Sequence, residues 1–443
     1  MPRRRPHRAS ERGAALLMTV VSVAVLTALA VDLAYETQVR LRAAGNARDA
    51  LRAEALAQSG VTMARLVTAM QRGLDDASKA AVLQQLGTGP TDAPTTGVPR
   101  PQVWSLVPVS TGLVQALFGD AGSTDAPPAS AASTESAIAT VRLGDFDGGF
   151  DVRLEDEAQK IDVQMSDMLK SSATLKPQVE SLLRLMCDGK WDPLFSRDHA
   201  DGQRYSRADL LVHLRDWADD DAKASSLVAA FAAGHCSFEV GRPPFEESFS
   251  DENRPYDRGR DRYKAKNARL DSLEELHLVA GVNDAFMAAF GDRFTVYLPR
   301  GSKRNINTLN EPLLRDLVAE MAEPASYATV ADPTFLPRLR KALMDARVGG
   351  LFSIPVAQFT SILEGLGVTV KTQYRTTGVD NPFTDTTDVY RIRSTAVAGE
   401  VTQTIDAVVS YDELNLPEHE RRKPGQNNNM LPRLGALIRW REE

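Results

Sequence analysis

MPRRRPHRASERG (residues 1–13), followed by AALLMTVVSVAVLTALAV (residues 14–31), is the stretch that decides the fold of this chain. The first segment contains five arginines and one acidic residue, and the second contains no charge in eighteen positions. A basic segment before an apolar run directs a chain to the membrane and leaves its arginines on the cytoplasmic side. An ordinary cleaved signal has small residues after the apolar run. Here the small residue, Gly13, precedes the run, which continues past Asp32 into a helical pattern.

This helical pattern extends well beyond the apolar run. Apolar and small residues recur at three- and four-residue steps between Leu51 and Met70, and no proline occurs in residues 14–72. At about 1.5 Å per residue such a helix is roughly 90 Å long. Its first half is apolar on all sides and its second half is amphipathic. The sequence therefore predicts a helix that lies half in the membrane and half against a globular domain.

The rest of the composition is that of an acidic globular chain. The 443 residues have a net charge of −7, and loss of residues 1–13 would leave −11. Such a chain lacks the basic surface that general nucleic-acid binding requires. Only one segment is long enough to span a bilayer, which predicts a single-pass protein with a cytoplasmic N-terminus and its bulk in the periplasm. Cys187 and Cys236 either form a disulfide there or stay as two buried thiols, and the sequence leaves both open.

The pattern after the long helix predicts an α+β fold with an inserted, mostly helical domain. Strands are predicted at 103–109, 138–143, 149–154, 386–395 and 399–410, with a hairpin formed by the second and third. Helical patterns dominate residues 166–320, and a further helix pair is predicted at 335–345 and 355–366. The predicted divisions are a basic leader at 1–13, a transmembrane and stalk helix at 14–72, the first part of an α/β domain at 73–165, the helical insertion at 166–385, returning strands at 386–411 and a C-terminal tail at 412–443.

Four short motifs follow one another along the chain. They are EDEAQKIDV at 155–163, LLVHLRDWADDD at 210–221, YKAKNARLDSLEELHLVAG at 263–281 and NINT at 305–308. Together with Gly13 and the apolar run, they resemble the minor pseudopilin K family of type II secretion, within the type IV prepilin class. The resemblance covers residues 12 to about 320 and implies a pseudopilin-like α/β domain. Asp162 and Gln164 stand where that family usually has asparagines, and residues 320–385 match nothing in it.

The resemblance implies a maturation route and a function. A prepilin peptidase would cut between Gly13 and Ala14, and the mature chain would be methylated and remain in the bacterial inner membrane. It would stand at the tip of the pseudopilus with the minor pseudopilins I and J, helping to start assembly and the export of folded proteins. Met18 stands where most pilins have a glutamate that pairs with the neighbouring subunit. A chain without that carboxylate offers no charge to a subunit above it, which suits a tip.

An acidic cluster is the one candidate for site chemistry. Asp216, Asp219 and Asp221 crowd a predicted helix end, and Glu252 lies on the polar loop that follows. Calcium takes six to eight oxygen ligands, which carboxylates and loop carbonyls supply. The resemblance implies calcium near this point, although this chain lacks the family's later G-A-E motif and has residues 251–253 there instead. The alternative is a solvated acidic helix end.

Three other functions stay open at this level. One is a tip minor pilin of a type IV pilus. Another is a membrane-anchored DNA receptor, because Glu275–Asp284 has the pattern of a helix-hairpin-helix, but Asn283 and Asp284 replace the usual second glycine and basic neighbours. The third is a metal-dependent periplasmic enzyme that uses the acidic cluster. The signatures GxxxxGK[ST], GxSxG, HExxH and CxxC are missing from the sequence, so we predict no enzymatic activity.

Overall fold

A computed structural model describes residues 11–86, 99–118, 141–143, 146–165, 172–199, 202–227, 229–232, 235–238, 244–257, 262–299, 301–375, 381–412 and 434–443. The chain forms two compact units. The first comprises Met1–Gly60, Ser110–Asp151 and Thr395–Thr404, and the second comprises Val61–Val109, Val152–Ser394 and Ile405–Glu443. Most of the predicted leader and residues 413–433 of the predicted tail lie outside the described residues.

Twelve α-helices and fourteen strands are present in the described part of the chain. The helices are α1 Glu11–Leu86, α2 Val103–Leu106, α3 Thr111–Phe118, α4 Ser172–Cys187, α5 Asp192–Ser196, α6 Arg207–Ala218, α7 Asp284–Phe290, α8 Glu311–Met321, α9 Tyr327–Ala331, α10 Phe335–Ala346, α11 Val356–Gly365 and α12 Thr372–Arg375. The strands are β1 Val109–Ser110, β2 Val141–Leu143, β3 Phe146–Asp156, β4 Ile161–Asp162, β5 Lys223–Leu227, β6 Ala229–Ala232, β7 His235–Phe238, β8 Phe245–Asp251, β9 Phe294–Thr295, β10 Arg304–Asn305, β11 Phe383–Thr384, β12 Val389–Ala398, β13 Val401–Ser410 and β14 Ala436–Glu442. This mixture confirms the predicted α+β class.

Helix α1 is the longest element, with 76 residues. It includes Gly13 and Ala14 in its first turns and ends at Leu86, well beyond the predicted end at residue 72. Every side chain from residue 14 to residue 31 is exposed, whereas one face of the later part is buried, beginning at Ala53. The predicted change from an apolar to an amphipathic half is therefore confirmed.

The main sheet has the strand order β1–β3–β12–β13–β14, and β2 pairs with β3. The predicted hairpin is confirmed, because β2 and β3 are antiparallel. Both predicted returning strands are present as β12 and β13. Within the predicted tail, Ala436–Glu442 forms β14 and pairs antiparallel with β13, a strand that the sequence analysis does not predict. This short segment contains three charged residues and has little intrinsic preference for a strand, so its backbone hydrogen bonds to β13 stabilise the strand conformation.

The predicted strand at 103–109 is also wrong. Val103–Leu106 forms the short helix α2, and only Val109 and Ser110 enter the sheet. The reason lies in Gln71 of α1, whose Oε1 accepts a hydrogen bond from Val103 N at 2.7 Å and whose Nε2 donates to Pro101 O at 2.9 Å. These bonds satisfy backbone groups that would otherwise need a neighbouring strand.

Within the first unit, backbone packing is close around the β2–β3 hairpin. Phe150 N donates to Thr111 Oγ1 at 2.6 Å, which joins β3 to the start of α3. A Cβ atom added to Gly148 would lie 2.6 Å from Val397 O and 2.7 Å from Leu56 Cδ1. Only glycine fits at this position, so β3 can approach β12 and α1 there.

The second unit contains two hydrophobic clusters. The first cluster is built around α4, α6 and α7 and includes Leu182, Leu211, Trp217 and Phe290. Helices α4 and α6 agree with the helical pattern predicted for residues 166–320, although the strands β5 to β8 were not predicted there. Cys187 at the end of α4 is disulfide-bonded, and Cys236 is the one other cysteine in the sequence.

The second cluster occupies the stretch that matched no family motif. It packs α8 against α10 and α11, the predicted helix pair, and includes Leu317, Leu339 and Phe359, none of which is exposed. Residues 320–385 therefore share a hydrophobic cluster with α8, separate from the first cluster.

Candidate metal-binding site

Helix α6 holds the first part of the acidic cluster. Its N-terminus is closed by a capping box between Ser206 and Asp209, and Leu210, Leu211 and Leu214 bury one face. The helix ends at Ala218, with Asp219 as its C-cap. The core contacts of α6 thus determine where Asp216 and Asp219 stand, and both carboxylates are only 1% exposed. Asp216 and Asp219 stand at the end of α6, and the alternative interpretation, a solvated acidic helix end, is wrong for these two buried residues.

The turn after α6 is closed by two of the predicted carboxylates. Asp216 Oδ1 accepts a hydrogen bond from Ser225 N at 2.9 Å, and Asp221 Oδ1 accepts one from Lys223 N at 2.7 Å. These bonds lead the chain from the helix into β5. Asp221 is only partly buried, so it lies nearer to solvent than Asp216 and Asp219 do.

Glu252 approaches the same region from the end of β8, and Asn267 connects the two segments. Asn267 Nδ2 donates to Asp221 O at 2.7 Å and to Glu252 Oε1 at 2.8 Å, while Asn267 N donates to Trp217 O at 3.0 Å. Its φ of 52° is left-handed, a conformation that asparagine tolerates better than most residues. Glu252 is 1% exposed. All four predicted residues therefore belong to one neighbourhood.

Four buried oxygen atoms of this neighbourhood have no hydrogen-bond donor among the described residues. They are Asp219 Oδ1, Asp219 Oδ2, Glu252 Oε2 and Asn267 Oδ1. Arg215 Nε lies 3.6 Å from Asp219 Oδ2, beyond hydrogen-bond length. Buried acceptors without donors are rare in folded proteins and call for an explanation, such as a bound ion.

The electrostatics of the cluster agree with this geometry. Burial raises the pKa of Asp219 to about 7, the nearby Arg215 lowers that pKa, and the charges of Asp216, Asp221 and Glu252 raise it further. Burial also raises the pKa values of Asp216 and Glu252, and neighbouring carboxylates add to both shifts. A cation would remove the repulsion and supply the missing partner for the free oxygens.

The carboxylate and amide oxygens of this neighbourhood are the ligands that a hard cation prefers, and several of them lack a hydrogen-bond donor among the described residues. Within the described part of the chain, however, no three His, Cys, Asp or Glu side chains converge on a single metal position as they stand. A bound ion would therefore require Asp219 and Glu252, whose oxygens lack donors, to turn towards a common point. Asn267 was not predicted as a site residue, although it lies in the quoted motif at 263–281 as the residue four positions after Tyr263.

Two other quoted motifs, at 155–163 and 305–308, meet in a hydrogen-bonded network. Asp156 accepts hydrogen bonds from Ala158 N at 2.8 Å and Asn305 Nδ2 at 2.7 Å, and also from Thr387 Oγ1. This joins the motif at 155–163 to the motif at 305–308. Glu157 binds Lys160 Nζ at 2.7 Å and Arg391 Nε at 2.8 Å.

The segment with a helix-hairpin-helix pattern is packed into the first cluster of the second unit. Gly281 has a φ of 94°, and an added Cβ would lie 3.1 Å from Tyr205 Cβ and 3.2 Å from Leu210 Cδ1. The glycine is thus required for close packing against Tyr205 and α6. This accounts for the pattern without a bound phosphate.

One helix in the described part of the chain is long and apolar enough to span a membrane. It is the stretch Ala14–Ser78 of α1, with a mean hydropathy of 2.5 in its most apolar 18-residue window, none of which is buried. Met18 lies in this stretch and is 71% exposed. The apolar side chains of this window are therefore not covered by the rest of the described chain.

No protein-family model matches this chain, and no curated protein matches it. Among solved structures, the chain is similar to the GspK–GspI–GspJ complex of the type 2 secretion system from enterotoxigenic Escherichia coli. The identity is 15%, the match covers 62% of this chain and 79% of that chain, and the TM-score is 0.36. A likeness this distant carries no inference about activity or partners.

Proposed function

We propose that this chain is a minor pseudopilin of the K type, a non-enzymatic subunit at the tip of a type II secretion pseudopilus. The observation that carries the proposal is the continuity of α1. One helix of 76 residues includes Gly13 and Ala14, continues through an exposed, uncharged segment and ends as a helix with one buried face. A cleavable secretory signal has no need of such continuity, whereas a subunit that is anchored in a membrane and later built into a filament does.

The proposed position at the tip follows from Met18 and from the size of the head. A carboxylate in the apolar segment would need a partner in the next subunit, and Met18 presents none. The helical insertion with its two hydrophobic clusters adds bulk to the head. A bulky subunit without the charge that pairs with a subunit above it suits an end position better than a place along the shaft.

The proposal includes the partners and the location that the family resemblance implies. A prepilin peptidase would process the chain, which would lie in the bacterial inner membrane with its N-terminus in the cytoplasm. The minor pseudopilins I and J would be its neighbours, and the assembled tip would support the export of folded proteins. Co-expression of the full-length chain with these pseudopilins should yield a detergent-stable complex. Recovery only with type IV pilus minor pilins would favour the alternative pilus function, and recovery with neither would refute both.

We further propose that the acidic cluster holds calcium through Asp216, Asp219, Asp221 and Glu252. Calcium accepts carboxylate and amide oxygens in flexible geometry, which suits a site that must still close around its ion. When bound, the ion would neutralise the buried carboxylates. The chain's own contribution is to hold Asp216 by Ser225 N and Glu252 by Asn267, so that the end of α6 and the end of β8 stay together.

The DNA-receptor alternative is not supported by a specific observation. Gly281 is explained by packing, and the sequence has a net charge of −7. A titration of the full-length chain with duplex DNA at low salt should detect no binding. Tight, salt-sensitive binding there would overturn this part of the proposal.

A further inference from the structure

Strand β8 contains a bulge that has no counterpart in its partner strand. In the β5–β8 pair, Lys223 faces Asp251 and Ser225 faces Glu247. One residue of β5 therefore spans the same interval as three residues of β8, namely 248 to 250. A bulge re-aims the side chains that it carries and is commonly a built feature next to functional sites.

Phe249 lies at the centre of this bulge and points away from the protein. Its relative exposure is 112%, higher than that of any other large apolar residue in the described part of the chain. The bulge is held by a hydrogen bond between Ser248 Oγ and Ser250 Oγ at 2.8 Å, while Phe245 anchors the strand in the core. Single exposed apolar residues are ordinary on protein surfaces, but here the bulge and its serine–serine hydrogen bond hold a fully exposed aromatic side chain in place. We call the Phe249 side chain the knob.

A pocket on the same chain has the complementary chemistry. It lies between α8 and α10, has a volume of about 350 Å³, and is lined by the apolar side chains of Leu314, Leu336, Pro337 and Met344. Its volume falls within the range of small-ligand pockets and is ample for one aromatic ring. It belongs to the second hydrophobic cluster, whereas Phe249 stands on β8 of the β5–β8 pair, next to α6.

Acidic side chains predominate beside Phe249, and basic ones predominate at the pocket. Glu246 and Glu247 are exposed three and two residues before Phe249, with Glu247 paired with Lys223 at 3.0 Å, whereas Arg340 and Lys341 are exposed at the pocket. Arg340 makes no ion pair within the described residues, and Lys341 pairs with Asp345 on the surface of α10 at 2.7 Å. The pocket's one acid, Glu311, is paired with Arg315 at 3.3 Å. Opposite charges around an apolar contact steer and orient an association.

We propose that Phe249 of one copy inserts into the α8–α10 pocket of a second copy of this chain. Burying an aromatic side chain in an apolar pocket is a typical dominant contact of an interface. The acidic rim of the knob then faces Arg340 and Lys341 of the other copy. This contact uses only the helical insertion, so it does not depend on the proposed role at a pseudopilus tip or on calcium.

The direct test is a photo-cross-link from the knob. Phe249→benzoylphenylalanine is introduced into the full-length chain, which is purified in detergent and mixed with ¹⁵N-labelled chain before irradiation. The expected product is a cross-link between chains of different label that joins position 249 to the peptide containing Arg340 and Met344. Cross-links to another surface, or no cross-link between labelled and unlabelled chains, would overturn the proposal.

Matched variants separate this contact from association through the membrane helix. Phe249→Ala and Arg340→Glu should each weaken association of the full-length chain by roughly tenfold or more, as measured by energy transfer between labelled copies. Leu351→Ala removes an exposed apolar side chain elsewhere, and Arg338→Glu reverses a charge on α10 outside the pocket, so neither should weaken it. A mixture of Glu246→Arg chains with Arg340→Glu chains should associate more tightly than either variant alone. Equal effects of the test and control variants would contradict the contact.

Discussion

Replacing Asp219 by asparagine should have opposite effects on stability in the absence and in the presence of calcium. The Asp219 pKa of about 7 is roughly three units above its ordinary value of 3.8, because the carboxylate is buried and the charges of neighbouring carboxylates add to a rise that Arg215 only partly offsets. Each unit corresponds to about 1.4 kcal/mol, so keeping Asp219 ionised above pH 7 costs the folded state up to about 4 kcal/mol. Asn removes that charge at nearly constant volume.

The new amide offsets part of the stability that is gained by removing the buried charge. Its two N–H groups enter a site rich in free oxygens, and any that stay unpaired cost about 1–3 kcal/mol. We therefore expect Asp219→Asn to stabilise the calcium-free protein by about 1–3 kcal/mol at pH 8. Because the native pKa is raised, the cost of Asp219 appears as pH rises from 3.8 to about 7. The advantage of the variant should accordingly shrink as the pH is lowered towards 4.

Calcium should reverse the order of stability, so that the wild type becomes more stable than Asp219→Asn. A ligand that binds only the folded state at a thousand times its dissociation constant adds about 4.1 kcal/mol to the free energy of unfolding, which exceeds the expected advantage of the variant. The wild type should gain this amount, and Asp219→Asn should gain little because it has lost one of the charged ligands. Magnesium should substitute poorly, since it demands tighter octahedral geometry and gives up water reluctantly.

The assay is unfolding of the full-length chain in detergent, followed by tryptophan fluorescence, in chelator and in millimolar calcium. Asp220→Asn is the matched control, because Asp220 is the exposed neighbour of Asp219. This variant should leave the free energy of unfolding unchanged both in chelator and in calcium. If calcium leaves the wild-type curve unchanged, the cluster is no calcium site. If Asp219→Asn destabilises the protein equally in chelator and in calcium, the assignment of an uncompensated buried charge is wrong.

Three further results are expected. N-terminal sequencing of the mature protein should begin at Ala14, with Gly13→Leu left as unprocessed precursor; a mature end after residue 30 would instead indicate an ordinary signal peptidase. Met18→Glu should not improve assembly, since a carboxylate in the apolar segment lacks a partner subunit above it, and full function of that variant along the filament shaft would contradict the tip position. Burial raises the pKa of Asp156 to about 6, so its ionisation should lower stability by about 3 kcal/mol as pH rises from 3.8 to 6. Asp156→Asn should flatten that part of the stability profile, and an unchanged slope would show that Asp156 titrates normally.

Local patterns account for the elements that were predicted correctly. The run at 14–31 is recognised by its length and lack of charge, and α4, α6 and the pair α10 and α11 carry a helical period in their own residues. The strands β12 and β13 are long and rich in β-branched residues, so their signal is equally local. These features need no distant contact to be recognised.

The candidate site was predicted in part. Asp216, Asp219, Asp221 and Glu252 were named from their charge and from a motif, and the structure brings them into one neighbourhood. Their burial was not predicted, because solvent exposure depends on how β5, β8 and the loop before Asn267 pack over the end of α6. The role of Asn267 was missed for the same reason, since its partners Asp221 and Glu252 are distant in the sequence.

The sequence by itself determined the membrane-type helix, the α+β class and the identity of the acidic residues, because each depends on composition or on spacing along a few turns. Only the tertiary structure decided that residues 103–106 form a helix, that Ala436–Glu442 forms a strand and that Phe249 protrudes. The first outcome depends on Gln71, the second on pairing with β13, and the third on the unequal lengths of β5 and β8 between paired residues. In each case the partner is a backbone or side-chain group far away in the sequence, and hydrogen bonding to it outweighs the weak local preference of the segment.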